Sequence, residues 1–416
     1  MNFEDSVTAL FFVVFGLKLL TKFYLDFRNL SYIQKNRSKV PGKFASKVSL
    51  EDHQKAADYA RAKSQFNRFG LIIDAFFLVF WTVGGGLEHI NQMALKLSEN
   101  TIAHALLCLG LFSAVSTIIS LPQSWFFQFI IEEKFGFNKS TNKIFFSDSV
   151  KQLTLSIIIG VPLVAAFFLI VEKLGDYWWL YAWAFLGFVQ LFILWAYPSF
   201  IAPIFNKFSP LEEGPLKEEI QYFLKKVDFP FAGLFVMDAS RRSSHGNAYF
   251  TGFGQKKRIV FFDTLIKSLE EEEVIAVLAH EIGHYKKKHI LKSVIKSFIM
   301  SLIGLFVLSL CLKWTIFYTK HGVQTPNLTM GLMLFSLITP VYTFFMTPIN
   351  SHVSRKNEYE ADQFAHENSN SKKLSSALVK MYKDNASSLT PDPLYSNFYH
   401  SHPPALERIS YLESLS

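Results

Sequence analysis

Apolar runs long enough to cross a lipid bilayer recur along this 416-residue chain, and no other feature limits its fold so tightly. A helix needs about 20 residues to span the hydrocarbon core. About seven runs reach or approach that length, near positions 7–25, 69–85, 102–131, 153–171, 178–204, 290–312 and 330–349. One such run reads equally well as the buried core helix of a soluble domain. So many in one chain, several rich in Phe and Trp, do not. Half of the residues are hydrophobic and only 18% are charged, against about 25% in soluble domains. The first run lacks the form of a signal peptide, because Glu4 and Asp5 stand where a basic segment belongs and no small-residue cleavage site follows. The expected fold is mainly α, a polytopic membrane protein with about seven transmembrane helices and a small α/β unit between two of them.

The net charge of +8 does not mark a nucleic-acid binder, because the basic residues flank apolar runs and form no basic domain. They orient the chain instead. The segment after the first run carries Arg28, Lys35, Arg37, Lys39, Lys43, Lys47, Lys55, Arg61, Lys63 and Arg68, whereas the next loop has only Lys96. Lys134, Lys139, Lys143 and Lys151 follow the third run, and Lys173 alone follows the fourth. Basic loops stay on the cytoplasmic side. The alternation puts the N-terminus outside and the C-terminus inside. Cys108 and Cys311 both lie within apolar runs and form no disulfide framework.

The chain divides into membrane helices over 1–204, a cytosolic unit over 205–289, two further membrane helices over 290–352 and a helical C-terminal segment over 353–416. In the cytosolic unit, residues 211–227 carry apolar positions at helical spacing. Strands are expected over 234–237, 247–253 and 258–262, the last two flanking Gly254-Gln255-Lys256-Lys257. Ser268 followed by Glu271 fits a capping box that opens a helix.

That helix runs into His280-Glu281-Ile282-Gly283-His284, an H-E-x-x-H motif. Residues four apart share a helix face, so both imidazoles can hold one metal ion. Glu281, one position around, reaches a water without being a ligand. Zinc lowers the pKa of such a water, and the carboxylate can take its proton. A chance match on a polar helix is the bland alternative, and the apolar run before the motif argues against it. A catalytic zinc wants a third protein ligand. After the seventh run, Glu358 and Asp362 are four apart in Glu358-Tyr359-Glu360-Ala361-Asp362. Glu358 can ligate while Asp362 orients a ligand histidine from behind. In isolation the segment reads as a solvated acidic face, and Glu360 fits that reading. His366, one turn past Asp362, is a rival ligand. His289 follows Lys286-Lys287-Lys288 and reads as a membrane-interface residue, and His245, His352 and His400 have no stronger claim.

Together, His280 to His284 and Glu358-x-x-x-Asp362 resemble the Ste24-type CAAX prenyl proteases of the M48 membrane zinc peptidases. Asn247-Ala248-Tyr249, Arg258-Ile259-Val260 with Asp263-Thr264-Leu265, and Ser401-His402-Pro403-Pro404 with Glu407-Arg408 extend the resemblance over the whole chain. It implies a ring of membrane helices around a water-filled chamber, with the metal at its cytosolic end. It further implies one Zn2+ held by His280, His284 and Glu358, Glu281 as base, Asp362 behind the ligands, and His402, Arg408 and Asn247 near the reacting carbonyl. On chemistry alone, His402 is a surface histidine in a Pro-rich turn and Arg408 a salt-bridged helix residue; the resemblance favours the functional role for both.

The implied function is hydrolysis of peptide bonds near the C-terminus of protein or peptide substrates, prenylated in this family. The alternative is quality control of membrane proteins, as in the shorter HtpX-type peptidases. A channel or transporter would need ionisable groups within several spans, and little beyond Asp74 and Lys151 qualifies. Asp263 leads to Glu271 without a long charged insert and the C-terminus carries no retrieval signal. Both features favour a bacterial inner membrane, with the endoplasmic reticulum as the alternative.

Overall fold

The computed structural model describes residues 3–252 and 257–415. The membrane half is built from α1 (Phe3–Asn36), α2 (Leu50–Trp81), α3 (Gly86–Leu97), α4 (Thr101–Phe126), α5 (Asn142–Lys173), α6 (Trp178–Ala196) and the short α7 (Ala202–Phe205). Polar residues at the loops start these helices. Asn100 accepts hydrogen bonds from the Ile102 and Ala103 amides ahead of α4, and Thr141 accepts one from Ile144 ahead of α5. Among the described residues, six helical stretches are long and apolar enough to cross a membrane, and α2 with α3 makes a seventh, bent by 53°. The expected run at 69–85 is therefore the end of a longer helix and its bend. Gly84-Gly85-Gly86 permits it: Gly85 sits at φ 78°, and a Cβ on Gly84 or Gly86 would lie 2.9 or 2.8 Å from the Phe80 backbone. Within α4, Pro122 removes a backbone donor, and a π-helical stretch, Phe127–Glu132, follows.

The cytosolic unit comprises β1 (Phe208–Pro210), α8 (Pro215–Lys226), β2 (Gly233–Met237), β3 (Ala248–Thr251), β4 (Arg258–Phe262), α9 (Asp263–Ser268) and α10 (Glu271–Lys286). The strand order is β1-β2-β4-β3, with β2 and β4 parallel and the other pairs antiparallel. The expected strands and helix are present within a few residues; between β3 and β4, residues 253–256, which include the end of the strand expected over 247–253, lie outside the described residues. β1 is an addition, too short and too polar to show a pattern in the sequence. The capping box is shifted. Glu270 caps α10 and pairs with Glu273, not Ser268 with Glu271. Ser268 closes α9, donating to the Leu265 carbonyl, and Leu269 is extended, so the next helix cannot begin before Glu271.

The chain continues through α11 (His289–Leu312), α12 (Thr315–Thr319), α13 (Leu328–Tyr342), α14 (Thr347–Asn368), α15 (Ser371–Asp384), α16 (Pro393–Tyr399) and α17 (Ala405–Leu415). The run from α13 to α14 is one helical stretch, Leu328–Asn368, with a 3-10 turn at Thr343–Met346 just after Pro340. The last span thus leads directly into the acidic helix. One core joins Leu234, Ile259 and Phe261 of the sheet to Leu278 and Ile282 of α10, and to Leu374, Leu378 and Leu412 near the C-terminus. Full burial of each such side chain stabilises by about 1.5–3 kcal/mol. The 205–289 and 353–416 segments therefore share a single core despite the membrane helices between them.

Candidate metal centre

Two helices make the site. On α10, His280 and Gly283 are buried. On α14, Glu358, Ala361, Asp362 and Ala365 are buried, the i, i+3, i+4, i+7 stripe of one helix face. The small residues let the helices approach. A Cβ on Gly283 would stand 2.9 Å from the Ala361 Cα and 3.0 Å from its carbonyl oxygen. This contact carries the two carboxylates of α14 up to the histidines of α10.

Three candidate ligands converge, two imidazoles and one carboxylate. His280 Nε2 lies 3.2 Å from His284 Nε2 and 3.4 Å from Glu358 Oε2, and His284 Nε2 lies 3.3 Å from Glu358 Oε1. These are long for hydrogen bonds. The edge of a tetrahedron with a centre-to-ligand distance of about 2.0–2.1 Å is roughly 3.3–3.4 Å, and each imidazole stands at about that distance from one oxygen of Glu358, His280 from Oε2 and His284 from Oε1. Glu358 Oε2 is buried without a hydrogen bond of acceptable geometry among the described residues, although His402 Nδ1 is 2.7 Å away. A buried carboxylate oxygen so placed, facing two imidazole nitrogens, fits a cation. His280, His284 and Glu358 are the cluster of metal-ligating side chains found among the described residues.

The surrounding groups fix this arrangement. Asp362, fully buried, lies 2.8 Å from His280 Nδ1. A carboxylate only accepts, so this contact, shorter than the 3.2 Å approach of Arg408 Nη2 to the same nitrogen, assigns a His280 proton to Nδ1 and leaves Nε2 facing the cluster. Arg408, also buried, donates from Nε to Asp362 at 2.8 Å and from Nη2 to the other carboxylate oxygen; its Nη1 is 3.6 Å from Glu358. Burial and the Arg408 charge oppose protonation of His280, but Asp362 and Glu358 outweigh them and lift its pKa to about 9, so a cation at Nε2 competes with a proton there. Glu281 is half-buried and accepts no hydrogen bond among the described residues.

A profile of the CAAX prenyl protease N-terminal region, with five membrane helices, matches residues 29–207, and the profile of peptidase family M48 matches residues 210–416. The CAAX prenyl protease 1 of Saccharomyces cerevisiae is 37% identical over 94% of this chain and 92% of its own length. The chain belongs to the CAAX prenyl protease group of peptidase family M48. Other M48 relatives include the CAAX prenyl protease 1 homologues of Arabidopsis thaliana, 36% identical over 99% of this chain and 97% of its own, and of Homo sapiens, 32% identical over 92% and 90%. The crystal structure of S. mikatae Ste24p superposes with a TM-score of 0.89 at 35% identity, over 99% of both chains. This M48 protein is a membrane metallopeptidase by family.

The sequence-derived residues fall into three groups in this M48 chain. His280, His284, Glu358 and Asp362 come together as described. His402 joins them through Glu358 while 62% of its side chain stays exposed; Arg408 joins through Asp362. Asn247 stands apart: it is exposed at the start of β3, its Oδ1 accepts from the Ala248 amide, and it makes no hydrogen bond to the cluster among the described residues. Two residues given bland readings belong to the surroundings of the site. His289 opens the candidate span α11 and is buried there, with Nδ1 2.9 Å from His284 Nδ1. Glu360 is not a free solvated acid, because His289 Nε2 lies 3.1 Å from its Oε2. The five-residue spacing from His284 to His289 was the available signal, hidden by the three lysines between them. His366 and His352 take no place in the cluster.

Proposed function

We propose that this M48 protein is a zinc endopeptidase that cleaves near the C-terminus of prenylated substrates, with His280, His284 and Glu358 holding the metal. The observation that carries the reading is the mutual approach of two imidazole nitrogens and the Glu358 carboxylate to 3.2–3.4 Å, the only group of possible metal ligands of this kind among the described residues. Zinc, when bound, supplies Lewis acidity that lowers the pKa of water and polarises a carbonyl. Glu281 takes the proton of the attacking water and delivers it to the leaving amide nitrogen. His402, reachable from solvent, donates to the oxyanion as it develops. Arg408 is engaged by Asp362 and buried, which favours a role in holding the His280–Asp362 pair over direct contact with substrate. β3 is an edge strand, so its outer side can pair with an extended peptide, and Asn247 stands at its entrance.

The prenylated class is supported by the names of the relatives and by two adjoining cavities. One, of about 420 Å³, reaches from Asn67 on α2 to His402. The other, of about 720 Å³, reaches from Asn67 between α2 and α4 and is lined by Phe66, Phe127 and Asn138. A peptide end in the first would put an apolar chain within reach of the second. The test is cleavage of one peptide series ending in Cys-aliphatic-aliphatic-X, with and without the prenyl group. The prenylated members should be cut faster by at least about tenfold, the effect of roughly 1.4 kcal/mol of added apolar contact. Indifference to the prenyl group, with cleavage of unfolded membrane segments instead, would favour the quality-control role.

The membrane orientation follows the basic loops, with the peptidase unit and C-terminus cytoplasmic. The two soluble segments, 205–289 and 353–416, act as one catalytic unit. The relatives named above are eukaryotic, which supports an endoplasmic reticulum membrane over a bacterial one. Cysteine labelling should find the 28–68 segment and the C-terminus inside, and the loops at Lys96, Lys173 and Lys320 outside. A C-terminus labelled only from outside would overturn the orientation.

A further inference from the structure

We propose that His289 and Glu360 form a positioning relay that sets the tautomer of His284; the inference rests on His284 being a metal ligand. Glu360 keeps a third of its side chain in solvent, and a carboxylate only accepts. The proton between it and His289, at 3.1 Å, therefore sits on His289 Nε2. A neutral His289 then has a lone pair on Nδ1. That atom is 2.9 Å from His284 Nδ1, which must carry the proton between the two rings. His284 is left with its lone pair on Nε2, the atom facing His280 and Glu358.

Both ligand imidazoles are thus backed by a carboxylate from α14, one directly and one through a second ring. The reason is helical geometry. Asp362 shares the inward stripe with Glu358, whereas Glu360, two positions before Asp362, emerges about 200° away around the helix and is spaced from His284 by a whole imidazole. Lys288, at φ 60° and ψ 29°, makes the left-handed turn that folds His289 back beneath His284 at the start of α11. A non-glycine residue adopts this conformation at a cost, and its result here is to bury His289 between the two elements.

The relay is tested by the zinc affinity of the full chain in detergent, measured by competition with a chelating dye, so that no cleavage assay is needed. His284→Ala should bind zinc weakly, which checks the ligand reading itself. His289→Ala should weaken binding by about 10- to 100-fold, as removal of a group behind a ligand does. Glu360→Ala, at a partly exposed position where misfolding is not a concern, should weaken it by up to about tenfold. The double variant should be no weaker than His289→Ala, because both act through one chain of hydrogen bonds. Glu360→Gln should stay within a few-fold of wild type, since its amide oxygen still accepts from His289. Wild-type affinity in both alanine variants, with binding lost in His284→Ala, would overturn the relay alone. Independent, summed losses in the double variant would also overturn it. Unaltered zinc binding in His284→Ala would remove the ligand reading and the relay with it.

Discussion

Glu281→Gln should retain one zinc per chain and lose cleavage by on the order of a hundredfold or more. The substitution keeps the size and helix position of the side chain. It removes only the capacity to take a proton. His280, His284 and Glu358 hold the metal without help from Glu281, which contacts none of them by hydrogen bond among the described residues. Zinc content and turnover measured on the same preparation separate the two roles. Turnover near wild type would show that the base is elsewhere; loss of zinc would show that Glu281 is a ligand.

Glu358→Ala should strip the metal and abolish cleavage. Two imidazoles alone make a weak zinc site, and the missing carboxylate is the one that His280 and His402 approach at Oε2 and His284 at Oε1. The loss in affinity should exceed the roughly 10- to 100-fold typical of groups behind the ligands. Neighbouring acids give the comparison. Asp362→Asn should fall within that 10- to 100-fold range, because it weakens the hold on His280 without removing a ligand. Asp362→Ala would be a poorer test, since it strands Arg408 as an uncompensated buried charge at a cost of about 3–5 kcal/mol. Glu360→Ala should have the smallest effect of the three, acting only through His289. Zinc retained by Glu358→Ala, but lost by Glu360→Ala, would mean that the wrong face of α14 has been assigned to the metal.

The parts of this molecule that were legible in its sequence are those set by local spacing. Apolar length marks the spans, and a four-residue separation puts His280 and His284 on one face. The same separation puts Glu358 and Asp362 on one face of a helix 74 residues beyond His284, and the acidic helix continues the last span without a break. What escaped depends on backbone conformations that residue type does not announce. Lys288 in a left-handed turn makes His289, at the start of α11, a buried neighbour of His284. Leu269 in an extended conformation moves the cap of α10 from Ser268 to Glu270. The approach of α10 to α14 is written in Gly283 and Ala361, but either residue alone is consistent with any close packing. The resemblance places Arg408 near the reacting carbonyl, whereas its chemistry alone reads as a salt-bridged helix residue; its partner, Asp362, depends on α17 folding against α14, a contact between distant segments.

The most direct measurement is cleavage of a prenylated C-terminal peptide by metal-free protein as zinc is added in sub-stoichiometric steps. Hydrolysis should be absent at the start, rise in proportion to added zinc and level off at one equivalent per chain, while Glu358→Ala stays inactive throughout. Full activity in the metal-free protein, or a plateau that Glu358→Ala also reaches, would contradict a zinc centre built on His280, His284 and Glu358.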